Sequence, residues 1–135
     1  MKNLTVFVSQ PFNGVEKEVI FDNMIRIKEN LKRVTGCRVS VLDNFNHVNV
    51  PDDAGRIWHL GESIKLLDKA DLVIFTNEYD KAKGCKVERK LCQLYHLPYF
   101  HESLLEVDDF YNDYEKKVKI MDAVESYRSQ KKQGL

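Results

Sequence analysis

Apolar positions along the chain switch between two periods. The run Leu4-Thr5-Val6-Phe7-Val8 is short and rich in β-branched residues, and it ends at Gln10-Pro11-Phe12-Asn13-Gly14, which break regular structure. A first strand is predicted from Leu4 to Ser9. From about Val15 to Thr35, the apolar positions Ile20, Met24, Ile27, Leu31 and Val34 recur at steps of three and four, one face of an α-helix, and Gly36 suits its C-cap. Cys37 to Leu42 alternates Val39 and Val41 against Arg38 and Ser40, which predicts a second strand exposed on one side or near an edge.

Asp43 to Gly55 is polar and irregular, and a loop of that length in a compact domain is usually functional or mobile. A second helix is predicted from about Arg56 to Lys69, with Ile57, Leu60, Ile64 and Leu67 inward. The continuous run Ala70-Asp71-Leu72-Val73-Ile74-Phe75 reads as a strand buried on both faces. The loop Thr76 to Lys83 follows, and Gly84 opens a helix with Val87, Leu91 and Leu94 on one face, ending near His96-Leu97. Pro98-Tyr99-Phe100 begins a short fourth strand, where proline is tolerated at the start. The remainder, about Leu104 to Gln130, reads as one long amphipathic helix with a stripe of Val107, Tyr111, Tyr114, Val118 and Met121. The expected organisation is an α/β domain over 1–103, a helix over 104–130 packed on that domain or on a partner subunit, and a frayed tail at 131–135.

Strands alternating with helices imply parallel strands joined by right-handed crossovers. The expected fold is α/β: a three-layer, flavodoxin- or Rossmann-like sandwich around a parallel sheet of four strands, five at most, in the order 2-1-3-4. The chain reverses direction between strands one and three, so a crevice opens at their C-terminal ends. Ser9 to Gly14, Asp43 to Arg56 and Thr76 to Glu88 should line it.

Composition narrows the possible partners. A chain of 135 residues suits one domain, and 43% hydrophobic residues are ample for one core. Lys plus Arg and Asp plus Glu are both 21, so phosphate-driven binding to a nucleic acid polymer is disfavoured. No apolar run is long enough to cross a bilayer, and no secretory leader is recognisable, so a cytoplasmic protein without a membrane partner is expected. Cys37, Cys85 and Cys92 make neither a disulfide framework nor a zinc pattern, and His47, His96 and His101 have no metal-ligand spacing. No cofactor is expected. Cys85 sits near a helix N-terminus, which lowers a thiol pKa, but no histidine is clearly placed to activate it and a small packed residue is the expectation.

Glu88 is the leading candidate for chemistry. It is expected in the first turn of a helix just past the C-terminal end of a central strand, where open α/β sheets bind ligands. An acid there also complements the helix macrodipole or pairs with Arg89 or Lys90 in solvent, so both readings stand. The loop Ser9-Gln10-Pro11-Phe12-Asn13-Gly14 leads into a helix N-terminus whose free N–H groups suit a polar or anionic ligand, with Phe12 able to stack on a flat ring; a plain βα turn is the alternative. One glycine and no Walker lysine argue against an ATPase. Arg56 opens the second helix, where its charge opposes the dipole; it can fork onto a phosphate or face solvent. Packing explains Trp58 and His59 as well as ligand contact does.

The motifs Ser9-Gln10-Pro11-Phe12-Asn13-Gly14, Ala70-Asp71 and Gly84-x-x-x-Glu88, in that order, resemble the nucleoside 2-deoxyribosyltransferase superfamily, and within it small phage and bacterial domains of unknown function. The resemblance spans roughly Leu4 to Phe100. It implies cleavage or transfer of the N-glycosidic bond of a nucleoside or nucleotide. It further implies that a glutamate at the position of Glu88 attacks the anomeric carbon to form a glycosyl-enzyme intermediate, in the manner of a retaining glycosidase. It also implies that Gln10 to Gly14 hold the base or sugar, with Ser9, Asn44, Arg56, Ser63 and Gly84 counted in the same binding set, and that the protein forms a homo-oligomer. Active members carry an aspartate where this chain has Ser63, with Glu62 beside it. A serine cannot act as an acid or base near neutral pH, which leaves the proton for the departing base unassigned. A non-catalytic module that binds a nucleotide or nucleotide-derived signal in the same crevice is the alternative. A third is an interaction protein that docks through its C-terminal helix.

Overall fold

The computed structural model describes residues 2–107 and 113–134. Its elements are β1 (Asn3–Ser9), α1 (Lys17–Thr35), β2 (Arg38–Val41), α2 (Arg56–Leu67), β3 (Leu72–Phe75), α3 (Lys83–Tyr95), β4 (Tyr99–His101) and α4 (Asp113–Lys132), with 3-10 turns at Tyr79–Lys81 and Glu102–Leu105. The four strands form one all-parallel sheet in the order β2-β1-β3-β4. The architecture is the expected Rossmann-like α/β fold. Gly36 ends α1 at φ 70°, in the left-handed region where a missing Cβ removes the steric cost, and its N–H donates to the Lys32 carbonyl.

Crossovers of one hand place helices on opposite faces when the direction of travel across the sheet reverses. That is the arrangement here. Leu4, Val6 and Val8 of β1, with Leu72 and Ile74 of β3, pack against Ile27, Leu31 and Val34 of α1 and Ile120, Met121 and Val124 of α4. Phe7, Val73 and Phe75 point the other way, toward Leu67 of α2 and Cys92 of α3. All four residues of β3 are buried, as a strand covered on both faces requires. In β2 only Val39 is fully buried, as befits an edge strand.

Three expected faces are corrected. On α2, Leu67 is buried but Ile57 is 85% exposed and Ile64 is also exposed. On α3, Val87 and Leu94 are exposed, and Cys85, Glu88 and Cys92 face inward instead. The expected helix from Leu104 is not continuous: Leu104 belongs to a 3-10 turn, Glu106 is extended, and α4 runs from Asp113. Its buried residues are Lys116, Ile120, Met121 and Val124; Val107, Tyr114 and Val118 are exposed, and Tyr111 lies outside the described residues. The physical reason is shared. Apolar periodicity marks the face a helix can bury, but sheet geometry decides which face is turned inward, and small or hydrogen-bonded residues can occupy it.

The C-terminal helix is part of the core rather than an appendage. At the N-terminal edge of the sheet, Asp71 accepts from the Thr5 N–H at 2.9 Å and from Arg128 Nη2 at 2.9 Å, and Arg128 Nη2 also donates to the Asn3 carbonyl at 2.6 Å. Burial pushes the Asp71 carboxyl up, but Arg128 and the Thr5 N–H outweigh it and hold the group below its ordinary range. Asp71 therefore serves the fold, at the edge opposite the crevice. No described helix is long and apolar enough to cross a membrane.

Candidate active site

At the C-terminal edge of the sheet the three expected segments converge on a cavity of about 820 Å3. Its lining includes Gln10, Pro11, Phe12 and Asn13 after β1, Asn44, Phe45 and His47 after β2, and Arg56, Ile57, His59, Leu60 and Ser63 of α2. Lys81, Ala82 and, from the first turns of α3, Lys83, Gly84, Cys85, Val87 and Glu88 complete the lining. The volume falls within the usual range for small-molecule sites.

Glu88 is 4% exposed and reaches this cavity from α3. It lies in the second turn of α3, not the first, so stabilisation by the macrodipole does not account for it. Nor does it pair in solvent: its Oε1 accepts from the Ser9 hydroxyl at 2.7 Å. Burial pushes its pKa up to about 7, against the lowering effect of the Ser9 hydrogen bond. A carboxylate that titrates near neutrality suits a group that changes charge during a reaction.

The expected binding residues divide. Gln10, Pro11, Phe12, Asn13, Asn44, Arg56, Ser63 and Gly84 all line the cavity. Ser9 acts behind it, through Glu88. Gly14 is outside the lining, in an exposed turn at φ 75°. Gln10 is anchored rather than free: its Nε2 donates to the Ile20 carbonyl at 3.2 Å, and its Oε1 accepts from Asn23 at 2.8 Å. Phe12 and Phe45 meet edge to face, with centroids 5.6 Å apart, and form an aromatic wall. A Cβ at Gly84 would sit 3.8 Å from Leu60 Cδ1, an ordinary contact, so packing does not require glycine there. Cys85 is a buried thiol pushed up to about 11 by burial, which fits the expected packed residue.

Ser63 faces the cavity, while Glu62 turns away to Lys65 at 3.2 Å. The helix register therefore does not bring Glu62 into the site. Instead Ser63 Oγ donates to Asn44 Oδ1 at 2.7 Å, and the same oxygen lies 3.2 Å from His47 Nε2. His47 Nδ1 lies 2.8 Å from His59 Nδ1. Sequence reasoning missed this pair, because twelve residues of loop and helix separate the two rings. The available signal was His47 in a segment expected to line the crevice and His59 one turn into the helix that follows it. Among the described residues, no three His, Cys, Asp or Glu side chains gather as metal ligands.

The rim is basic. Lys81 pairs with Glu78, whereas Arg56 and Lys83 have no ion pair among the described residues. The lining thus combines an aromatic pair, a buried acid, two imidazoles and exposed basic side chains. Fold and site together define a Rossmann-like α/β protein with a cavity at its topological switch point. Comparison with protein-family models, curated proteins and solved structures finds no match.

Proposed function

We propose that this cavity binds a nucleoside or nucleotide and that Glu88 attacks the anomeric carbon, cleaving the N-glycosidic bond or transferring the sugar. The observation that carries this reading is the placement of Glu88: buried, oriented by Ser9, and at the wall of a cavity large enough for a sugar with its base. A carboxylate at that point can stabilise oxocarbenium-like charge and then bond to C1′. The aromatic wall of Phe12 and Phe45 suits a planar base. The unpaired charge of Arg56 at the mouth suits a phosphate on a nucleotide substrate.

The alternative is a binding module that leaves its ligand intact. Ser63, where the resembled family carries aspartate, favours it, since a hydroxyl cannot supply a proton. One experiment separates the two. Nucleosides, nucleotides and nicotinamide dinucleotides are incubated with wild type and with Glu88→Gln, base release is followed by chromatography, and melting is recorded in parallel. Base release by wild type alone supports the enzyme. A raised Tm with ligand recovered intact supports the binding module; ligand at a hundred times its Kd adds roughly 2.7 kcal/mol. Neither turnover nor stabilisation across the panel overturns both.

A further inference from the structure

His47 and His59 meet in a way that dictates their protons. Their rings are 21° from coplanar, with centroids 5.1 Å apart and Nδ1 atoms 2.8 Å apart. That centroid distance is what two imidazole radii and one N···N contact occupy end to end. The rings therefore meet edge to edge, with each Nδ1 aimed at the other, rather than face to face. Two bare lone pairs cannot sit at 2.8 Å, so one proton lies between them. Asn44 Oδ1 accepts only, so His47 Nε2 carries a proton as well. In the neutral pair His47 Nδ1 is then the acceptor and His59 Nδ1–H the donor. The one ring nitrogen left with a lone pair and without a partner among the described residues is His59 Nε2. Any further proton taken up by the pair goes there.

We infer that His47 and His59 act as one acid–base unit, protonating the departing base through His59 Nε2 and recovering that proton from the incoming water. This rests on the N-glycosidic reading above and fills the role that Ser63 cannot. In the forward step the C1′–N bond breaks and its electron pair passes to the base nitrogen. His59 Nε2–H delivers the proton, and a Glu88 oxygen bonds to C1′. The pair is left neutral, with the Nδ1–H···Nδ1 bond intact. Water then attacks C1′, the bond to Glu88 breaks with its electrons returning to the carboxylate, and the proton of the water goes to His59 Nε2. Ser63 contributes by holding Asn44, which fixes His47 and through it His59; it is a positioning residue. Burial and His59 hold the His47 ring below its ordinary range, against Glu62 from α2, Asp43 from the preceding loop and the Asn44 backbone, which favour its charge.

The test uses the full chain and has two arms. In the first, isotope-labelled protein is titrated across the imidazole range and the ring nitrogens are read by NMR. The expected result is a shared Nδ1 proton with coupling across the N···N contact, one further proton taken up by the pair, and loss of the shared signal in His47→Gln. Independent protonation of the two rings without that coupling overturns the pairing. In the second arm a purine 2′-deoxynucleoside is compared with a nitrophenyl 2-deoxyriboside, whose phenolate leaves without a proton. His59→Gln should lose about 100- to 10,000-fold in kcat/KM on the nucleoside and less than about tenfold on the nitrophenyl substrate. Glu88→Gln should lose both. Equal loss on both substrates in His59→Gln overturns proton donation, and His59→Asn repeats the measurement if the first variant fails to fold. Wild type that cleaves neither substrate overturns the N-glycosidic reading and the donation step with it, while the first arm still decides the pairing.

Discussion

Ser9 closes β1 and Glu88 lies in the second turn of α3, 79 residues further on, yet Ser9 Oγ donates to Glu88 Oε1 at 2.7 Å. The bond crosses from the central strand to the helix that follows β3. It exists because β1 and β3 are adjacent in the sheet, with Ser9 level with Phe75. One hydroxyl therefore orients the acid and offsets part of the cost of burying its charge. The four expectations below follow from this relationship and from the packing around it.

Glu88→Gln should change the pH dependence of stability. The folded pKa of about 7 is raised above the ordinary carboxyl value of 4.5, so the native state holds an extra proton between these values. That stabilising contribution is complete below the unfolded value and is lost as pH rises through about 7, for a total on the order of 3 kcal/mol. Denaturant unfolding of wild type and variant should match near the acid end of this window, diverge as pH rises across it, and stay apart by a constant amount above neutrality, with the variant more stable. The depressed pKa of His47 contributes the opposite slope to both proteins and cancels in the difference.

Ser9→Ala removes the one hydrogen bond that favours ionised Glu88. The pKa of Glu88 should move further up, and the acid limb of kcat/KM should move with it to higher pH. A buried carboxyl oxygen left without its donor also costs about 1–3 kcal/mol. Carboxyl NMR titration reads the first effect and a urea melt reads the second.

Asp71→Asn should loosen the seat of α4 on the sheet without touching the cavity. The folded pKa of Asp71 is depressed, so its contribution is present above the unfolded value and is lost as pH falls through the folded one. Both partners are partly exposed, so the loss is about 1 kcal/mol at neutral pH and shrinks with added salt. Melting at two salt concentrations checks it, and ligand binding should be unchanged.

Ile120→Ala should cost about 2–5 kcal/mol, because Ile120 is fully buried between α4 and the sheet. Tyr114→Ser, on the same helix but 72% exposed, should stay within about 0.5 kcal/mol. Equal effects in chemical denaturation would contradict the buried face described for α4.

Much of the frame was legible from local pattern. The apolar run of β3, the one-sided alternation of β2, the three- and four-residue steps of α1 and its Gly36 cap are signals carried by neighbouring residues, and the strand order followed from crossover handedness. The faces of α3 were not legible. Of the apolar stripe Val87, Leu91 and Leu94, only Leu91 packs against the core, half-buried, and the buried row is Cys85, Glu88 and Cys92. An ionisable residue on the buried face inverts the pattern that periodicity reads.

Local sequence thus determined the order of strands and helices, though not where the last helix begins, because backbone preference and apolar spacing act over a few residues. It also brought Glu88 to the right edge of the sheet, because parallel topology carries every strand's C-terminal end to one side. Only the tertiary structure decided that Glu88 is buried against Ser9, that Ser63 donates to Asn44, and that His47 meets His59. Those contacts join segments 12 to 79 residues apart. Proton affinity and ring orientation depend on such distant neighbours, since burial and hydrogen bonding act through space rather than along the chain.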